Sequence, residues 1–227
     1  MKQGFLRRGG ANNRRDRASK HLTKRQAAML IDATQNALDR GVGFNRFVTI
    51  SWELAGIDPR DSVAATGEWI RHARDWLYRY EVPLAWVWTQ ERGPKLGAHC
   101  HILMHVPIEL SPLFGSKPRQ WARKVIERRG GLYAAGTLFT RKVSLGDSPE
   151  SHPEAFDASV MGRLHYLLKC TPARLEGELG MIGRGHKPWG QSALVYGKRA
   201  AVWQDRTSRF PAGHRPATKK RQTSQMI

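Results

Sequence analysis

Two short stretches carry residue types that could do chemistry together. The first, Glu91-Arg-Gly-Pro-Lys-Leu-Gly-Ala-His99-Cys-His101, holds two histidines one residue apart, and Tyr166-Leu-Leu-Lys169 begins 65 residues after the second of them. Successive side chains of a strand point to opposite faces, so His99 and His101 project together and Cys100 faces away. Glu91 ends the preceding strand, where its carboxylate can close a three-ligand site that keeps positions for water and a phosphate oxygen. Imidazole and carboxylate donors together accept a divalent metal, with Mn, Mg and Zn all compatible. His105 shares the strand face but lies further along, and reads as an interior histidine rather than a fourth ligand.

A phenol titrates near 10 in its free form, so a tyrosine nucleophile needs a nearby cation. Lys169 supplies one. A metal that polarises a phosphate oxygen would complete a phosphodiester-cleaving set. The spacing places Tyr166 and Lys169 on one face of a helix over Ala158–Cys170, roughly opposite an apolar stripe of Val160, Met161, Leu164, Leu167 and Leu168. That geometry offers the tyrosine to solvent or across to an open sheet face. Arg163, one turn earlier, is a candidate for gripping a nucleic-acid strand.

The elements that must position these groups alternate in period. Thr23-Lys-Arg-Gln26 reads as a capping box opening a helix that Gly41 ends. Arg46 to Trp52 is strand-like, and Asp61 starts a long helix stopped by Pro83. Leu84 to Glu91 and His99 to Val106 form a hairpin across a Gly/Pro loop, with Trp86 and Trp88 on the face away from Glu91. Pro118 to Arg129 reads as a helix and Gly136 to Leu145 as a strand. The resulting βαββαβ order predicts an α+β, ferredoxin-like antiparallel sheet with helices on one face, the other face available, and the His99 strand in the interior.

Charge is distributed unevenly. Of the formal net charge of +19, residues 1–25 contribute +8 and residues 198–227 contribute +7, leaving +4 for the 172 residues between. The expectation is a domain over 26–197 flanked by flexible basic arms at 1–25 and 198–227, suited to sequence-independent phosphate contact. Trp189 to Arg199 reads as a last short strand ending in a basic turn, where Lys198 and Arg199 would meet DNA. Two cysteines, Cys100 and Cys170, are too few for a disulfide framework. The absence of a membrane-length apolar run or a signal peptide predicts a cytoplasmic protein without a membrane partner. No GxxxxGK[ST] segment occurs, so the sequence does not support a built-in nucleotide-driven helicase.

With Glu91, His99-Cys-His101, Tyr166-Leu-Leu-Lys169 and the early strand Phe47-Val-Thr-Ile-Ser in place, the chain resembles the HUH endonucleases over roughly residues 45–170. The tyrosine follows the histidine motif, an order similar to that of rolling-circle replication initiators of plasmids and single-stranded DNA phages and unlike that of conjugative relaxases. The resemblance implies His99, His101 and Glu91 as ligands of a divalent metal, Tyr166 as nucleophile and Lys169 as its phosphate-neutralising companion. It implies nicking of single-stranded origin DNA or an origin hairpin, a 5′-phosphotyrosine link and a free 3′-hydroxyl. A host polymerase would extend that hydroxyl, and a host helicase would open the duplex. Positions 162 and 170 hold Gly and Cys, so a single-tyrosine enzyme is implied. Two alternatives stay open: a single-tyrosine HUH transposase, which shares this chemistry, and a non-catalytic DNA-binding module. A cupin-like enzyme fits less well, because the helices contradict an all-β barrel.

Overall fold

The computed structural model describes residues 16–144, 149–181 and 194–203. In chain order these form β1 (Ala18–Ser19), α1 (Lys24–Asp39), β2 (Arg46–Ser51), α2 (Ser62–Tyr78), β3 (Trp86–Gly93), β4 (Gly97–Met104), α3 (Ser111–Phe114), α4 (Lys117–Arg128), β5 (Leu138–Lys142), α5 (Pro153–Leu167), β6 (Val195–Tyr196) and β7 (Ala200–Val202). The protein is α+β. Its main sheet has five strands in the order β5-β2-β4-β3-β7, every adjacent pair antiparallel, and β1 pairs separately with β6.

Local chemistry explains the element ends. The capping box forms as predicted: Thr23 Oγ1 accepts from Gln26 N at 3.2 Å, and Gln26 Oε1 accepts from Thr23 N at 3.0 Å. Two orphan donors of α1 are thereby satisfied. β3 and β4 are joined by the three residues 94–96, and Gly97 follows in the left-handed region with φ 59°. A short hairpin loop of this kind closes with a residue at positive φ, where glycine alone is unstrained.

Strand alternation separates two cores. On one face Val48, Ile50, Trp88, Cys100, Ile102 and Met104 meet the inner sides of α2 and α4, including Trp69, Trp76 and Trp121. The indole N–H groups of Trp52 and Trp69 find Thr66 Oγ1 (2.9 Å) and Pro118 O (3.1 Å), so their burial leaves no lost donor. Trp88 lies in this core and Trp86 packs against it, as the sequence predicts. On the other face Phe47, Val87, Leu103 and Ala200 meet α1 and α5 through Leu30, Ala37, Phe156, Val160 and Leu164.

Several expectations need correction. Helices cover both faces of the sheet rather than one, because α1 and α5 carry apolar stripes of their own that must also be buried. The flexible basic arm expected at 1–25 does not hold for its last residues: Ala18–Ser19 pairs with β6, Leu22 is 1% exposed, and Leu22 N donates to Cys170 O. The tail expected from 198 onward likewise begins too early, since β7 pairs with β3 as an edge strand. The remaining parts of both arms, and residues 189–193 of the expected last strand, lie outside the described residues. Among the described residues no helix is long and apolar enough to cross a membrane.

Candidate metal and tyrosine site

β4 lies between β2 and β3, and the register sets the site. Glu91 stands opposite His99, while Thr89 and Thr49 flank His101 from either side. Directly paired residues share a face, so Glu91, His99, His101 and Thr49 all project toward the α5 side. Their donor atoms gather: Glu91 Oε2 is 3.5 Å from His99 Nε2 and 3.6 Å from His101 Nε2. One ligand atom from each of the three lies within 4.8 Å of the others, and all three residues are buried.

Hydrogen bonds orient both rings. His99 Nδ1 is 2.8 Å from the carbonyl of Gly97, which can only accept, so Nδ1 carries a proton and Nε2 is the ring atom turned toward Glu91. His101 Nδ1 is 2.8 Å from Thr49 Oγ1. Glu91 Oε1 is buried with no hydrogen-bond partner among the described residues. Two oriented imidazoles, a buried carboxylate and an unsatisfied carboxylate oxygen are a donor set that fits a divalent metal.

Electrostatics agree. Burial acts to raise the Glu91 carboxyl, yet hydrogen bonds from His101 and His99 and the charge of Lys169 hold it well below the usual carboxylate range. Burial pushes the His101 imidazole down to about 4, keeping it neutral and able to ligate at physiological pH. Lys169 Nζ sits 2.6 Å from Glu91 Oε2 and 3.4 Å from His101 Nε2. Burial would lower the Lys169 ammonium, but the Glu91 charge outweighs it and keeps the group protonated.

Tyr166 enters from α5, and Lys169 from the 3-10 turn Leu168–Cys170 that continues it. The phenol ring meets His101 edge-on at a centroid distance of 5.0 Å, and Lys169 Nζ is 3.8 Å from the Tyr166 ring centroid. The helix begins at Pro153 rather than Ala158 and buries Phe156 along with Val160, Leu164 and Leu167. Tyr166 thus faces the sheet and is half-buried, packed on the core rather than turned to solvent.

Other predicted residues divide. Arg163 lies over the Phe47 ring at 5.6 Å, and Phe47 stacks on His101 at 5.5 Å, so Arg163 borders the site. Lys198 is half-buried. Arg199 does not reach the surface as expected for a DNA contact: it is 1% exposed, with Nε donating to Ser19 Oγ at 3.0 Å. The reason is β7, which carries the chain inward where a basic turn was expected. His105 binds the Gly43 carbonyl through Nδ1 at 3.0 Å and is a fold histidine. Cys100 points into the opposite core, its thiol pushed up to about 11 by burial, and neither cysteine is in a disulfide.

Three supporting residues escaped sequence reasoning. Thr49 and Phe47, which hold His101, were detectable only as the parity of β2 once its pairing to β4 is known. Glu53 has no sequence signal: it accepts from Arg92 Nε (2.9 Å) and Nη2 (2.6 Å) and from Ala98 N (2.6 Å). Arg92 and Ala98 adjoin Glu91 and His99 in the chain, so Glu53 pins both ligand-bearing strand ends. Comparison with protein-family models, curated proteins and solved structures finds no match to this chain.

Proposed function

We propose that this protein is a metal-dependent single-stranded DNA endonuclease of the HUH type, using Tyr166 to nick DNA in a replication-initiation reaction. The observation that carries the reading is the packing of Tyr166 and Lys169 against His101 and Glu91, although the two motifs are far apart in sequence. The run β2-α2-β3-β4-α4-β5, with β4 inside the sheet, supports reading the fold as ferredoxin-like βαββαβ.

Glu91, His99 and His101 would hold the divalent cation, Mn or Mg. When bound, it supplies Lewis-acid stabilisation of the charge on the scissile phosphate. Tyr166 attacks phosphorus through its phenolic oxygen, the P–O3′ bond breaks, and the product is a 5′-phosphotyrosine with a free 3′-hydroxyl. The phenolic proton leaves to solvent and the departing 3′-oxygen gains one, so the exchange of esters is balanced without redox change. Lys169 is held protonated by Glu91, so it stabilises the phenolate and the phosphate rather than serving as the base. Thr49 and the Gly97 carbonyl fix the imidazoles so that little reorganisation accompanies the reaction.

Such an enzyme would hand the 3′-hydroxyl to a host polymerase and depend on a host helicase or on extruded hairpin DNA for its single strand. The test uses labelled single-stranded oligonucleotides, including hairpin formers, with Mn²⁺. Label should migrate with denatured wild-type protein and not with Tyr166→Phe. DNA binding without any adduct across that set would favour a non-catalytic binding module.

A further inference from the structure

The site face of the sheet is closed at one edge and open at the other. α1 packs on β7 and β3, and α5 on β4, burying Ala200, Val87 and Leu103. The β5 edge differs. Phe139 pairs with Thr49 and Arg141 with Phe47, so both project to the same face as His101. Phe139 is nevertheless 49% exposed, and Arg141 is exposed beside it, while Val143 further along the same face is 6% exposed under the helices. The uncovered part of β5 is thus the part nearest the metal ligands. Arg163 lies over Phe47, the residue that pairs with Arg141 and whose ring also meets Tyr166 edge-on.

An exposed phenyl ring on an edge strand favours aggregation, and folds ordinarily place charge there instead. An aromatic ring beside an arginine on the strand and another on the adjoining helix, in a chain of formal net charge +19, is by contrast the composition that holds unpaired bases and their phosphates. We propose that the β5 edge is a platform for single-stranded nucleic acid, with one base stacked on Phe139 and flanking phosphates on Arg141 and Arg163. This rests on the reading of the adjoining site as one for single-stranded DNA. Phe139 stands two strands from His101, roughly 10 Å at the usual strand spacing. A base held there leads the strand across Thr49 to the tyrosine, and it assigns the substrate's route to the β5 edge rather than the β7 edge.

The test is fluorescence anisotropy with a fluorescein-labelled mixed-sequence oligonucleotide, free as a single strand or annealed as a blunt duplex. No metal is added, so that no strand is cut, and high salt screens contacts from the basic ends. Phe139→Ala should weaken single-strand binding by about fivefold or more, the effect of a lost base–aromatic stack. Phe139→Trp should retain it, and Ile108→Ala, an exposed apolar residue beyond the opposite end of β4, should not alter it. A smaller loss in Phe139→Ala with circular dichroism unchanged overturns the platform, as does an equal loss on the duplex. Adduct formation by the wild-type protein is read separately: its absence removes the nuclease reading, whereas the Phe139 comparison decides the platform by itself.

Discussion

Replacing Glu91 by Gln keeps the shape of the site and removes its charge, so its cost can be worked out from the geometry. Glu91 is 5% exposed, the Lys169 side chain is 10% exposed, and their charged atoms lie 2.6 Å apart. Without the carboxylate the ammonium loses the acid 2.6 Å away and faces two imidazoles, one of them held neutral by burial. Breaking a buried pair from one side costs about 3–5 kcal/mol because the surviving charge is stranded. In a chain of this size that corresponds to a Tm lower by roughly 6–20 °C. Glu91→Gln/Lys169→Met removes both charges and should regain most of the loss. Urea and thermal unfolding in chelator measure both. A Glu91→Gln protein within about 0.5 kcal/mol of wild type, the range of a surface substitution, would refute the buried pair. Added Mn²⁺ extends the test: at a hundredfold excess over Kd it stabilises a binding protein by about 2.7 kcal/mol, a gain that Glu91→Gln should lose.

Glu53→Ala releases both ligand-bearing strand ends and should weaken Mn²⁺ binding by about tenfold, the lower end of what supporting partners contribute, read by calorimetry. Acidification should destabilise the metal-free protein. An unfolded imidazole takes up its proton below about 6.5, whereas His101 stays neutral until about 4, so stability falls as pH drops between those values. His72 and His105 shift in the same direction. Glu91, held below its free value, adds a further loss below its unfolded range, near 4.5. His101→Asn should therefore flatten the slope of urea midpoint against pH without abolishing it, and an unchanged slope would contradict the burial of a neutral ring. Arg199→Ala should cost about 2–3 kcal/mol of stability through lost charge-assisted bonds, while oligonucleotide affinity, measured below its Tm, stays at the wild-type value.

The parts of the site written in local pattern were legible in the sequence. The parity of His-Cys-His, the hairpin between Glu91 and His99, and the three-residue step from Tyr166 to Lys169 each follow from strand or helix periodicity, and the structure brings those residues together. The capping box at Thr23 and the burial of Trp88 were legible for the same reason. What failed depended on long-range pairing. Arg199 looked like an exposed basic turn, yet Ala200–Val202 joins β3 and draws it inward against Ser19, at the far end of the chain. The second helical layer was missed because an apolar stripe on α1 says that a face is buried, not which sheet face receives it. Glu53 supports the ligands through Arg92 and Ala98, a relation that only folding creates.

Peptide mapping decides whether Tyr166 is the residue joined to DNA in the proposed reaction. Trypsin cuts after Arg163 and Lys169, releasing Leu164-His-Tyr166-Leu-Leu-Lys169 as one peptide. After reaction with a single-stranded oligonucleotide and Mn²⁺, followed by nuclease trimming, mass spectrometry should find that peptide carrying a nucleotide 5′-phosphate on the tyrosine. A nucleotide on another residue, or cleaved DNA with this peptide unmodified, would contradict the account.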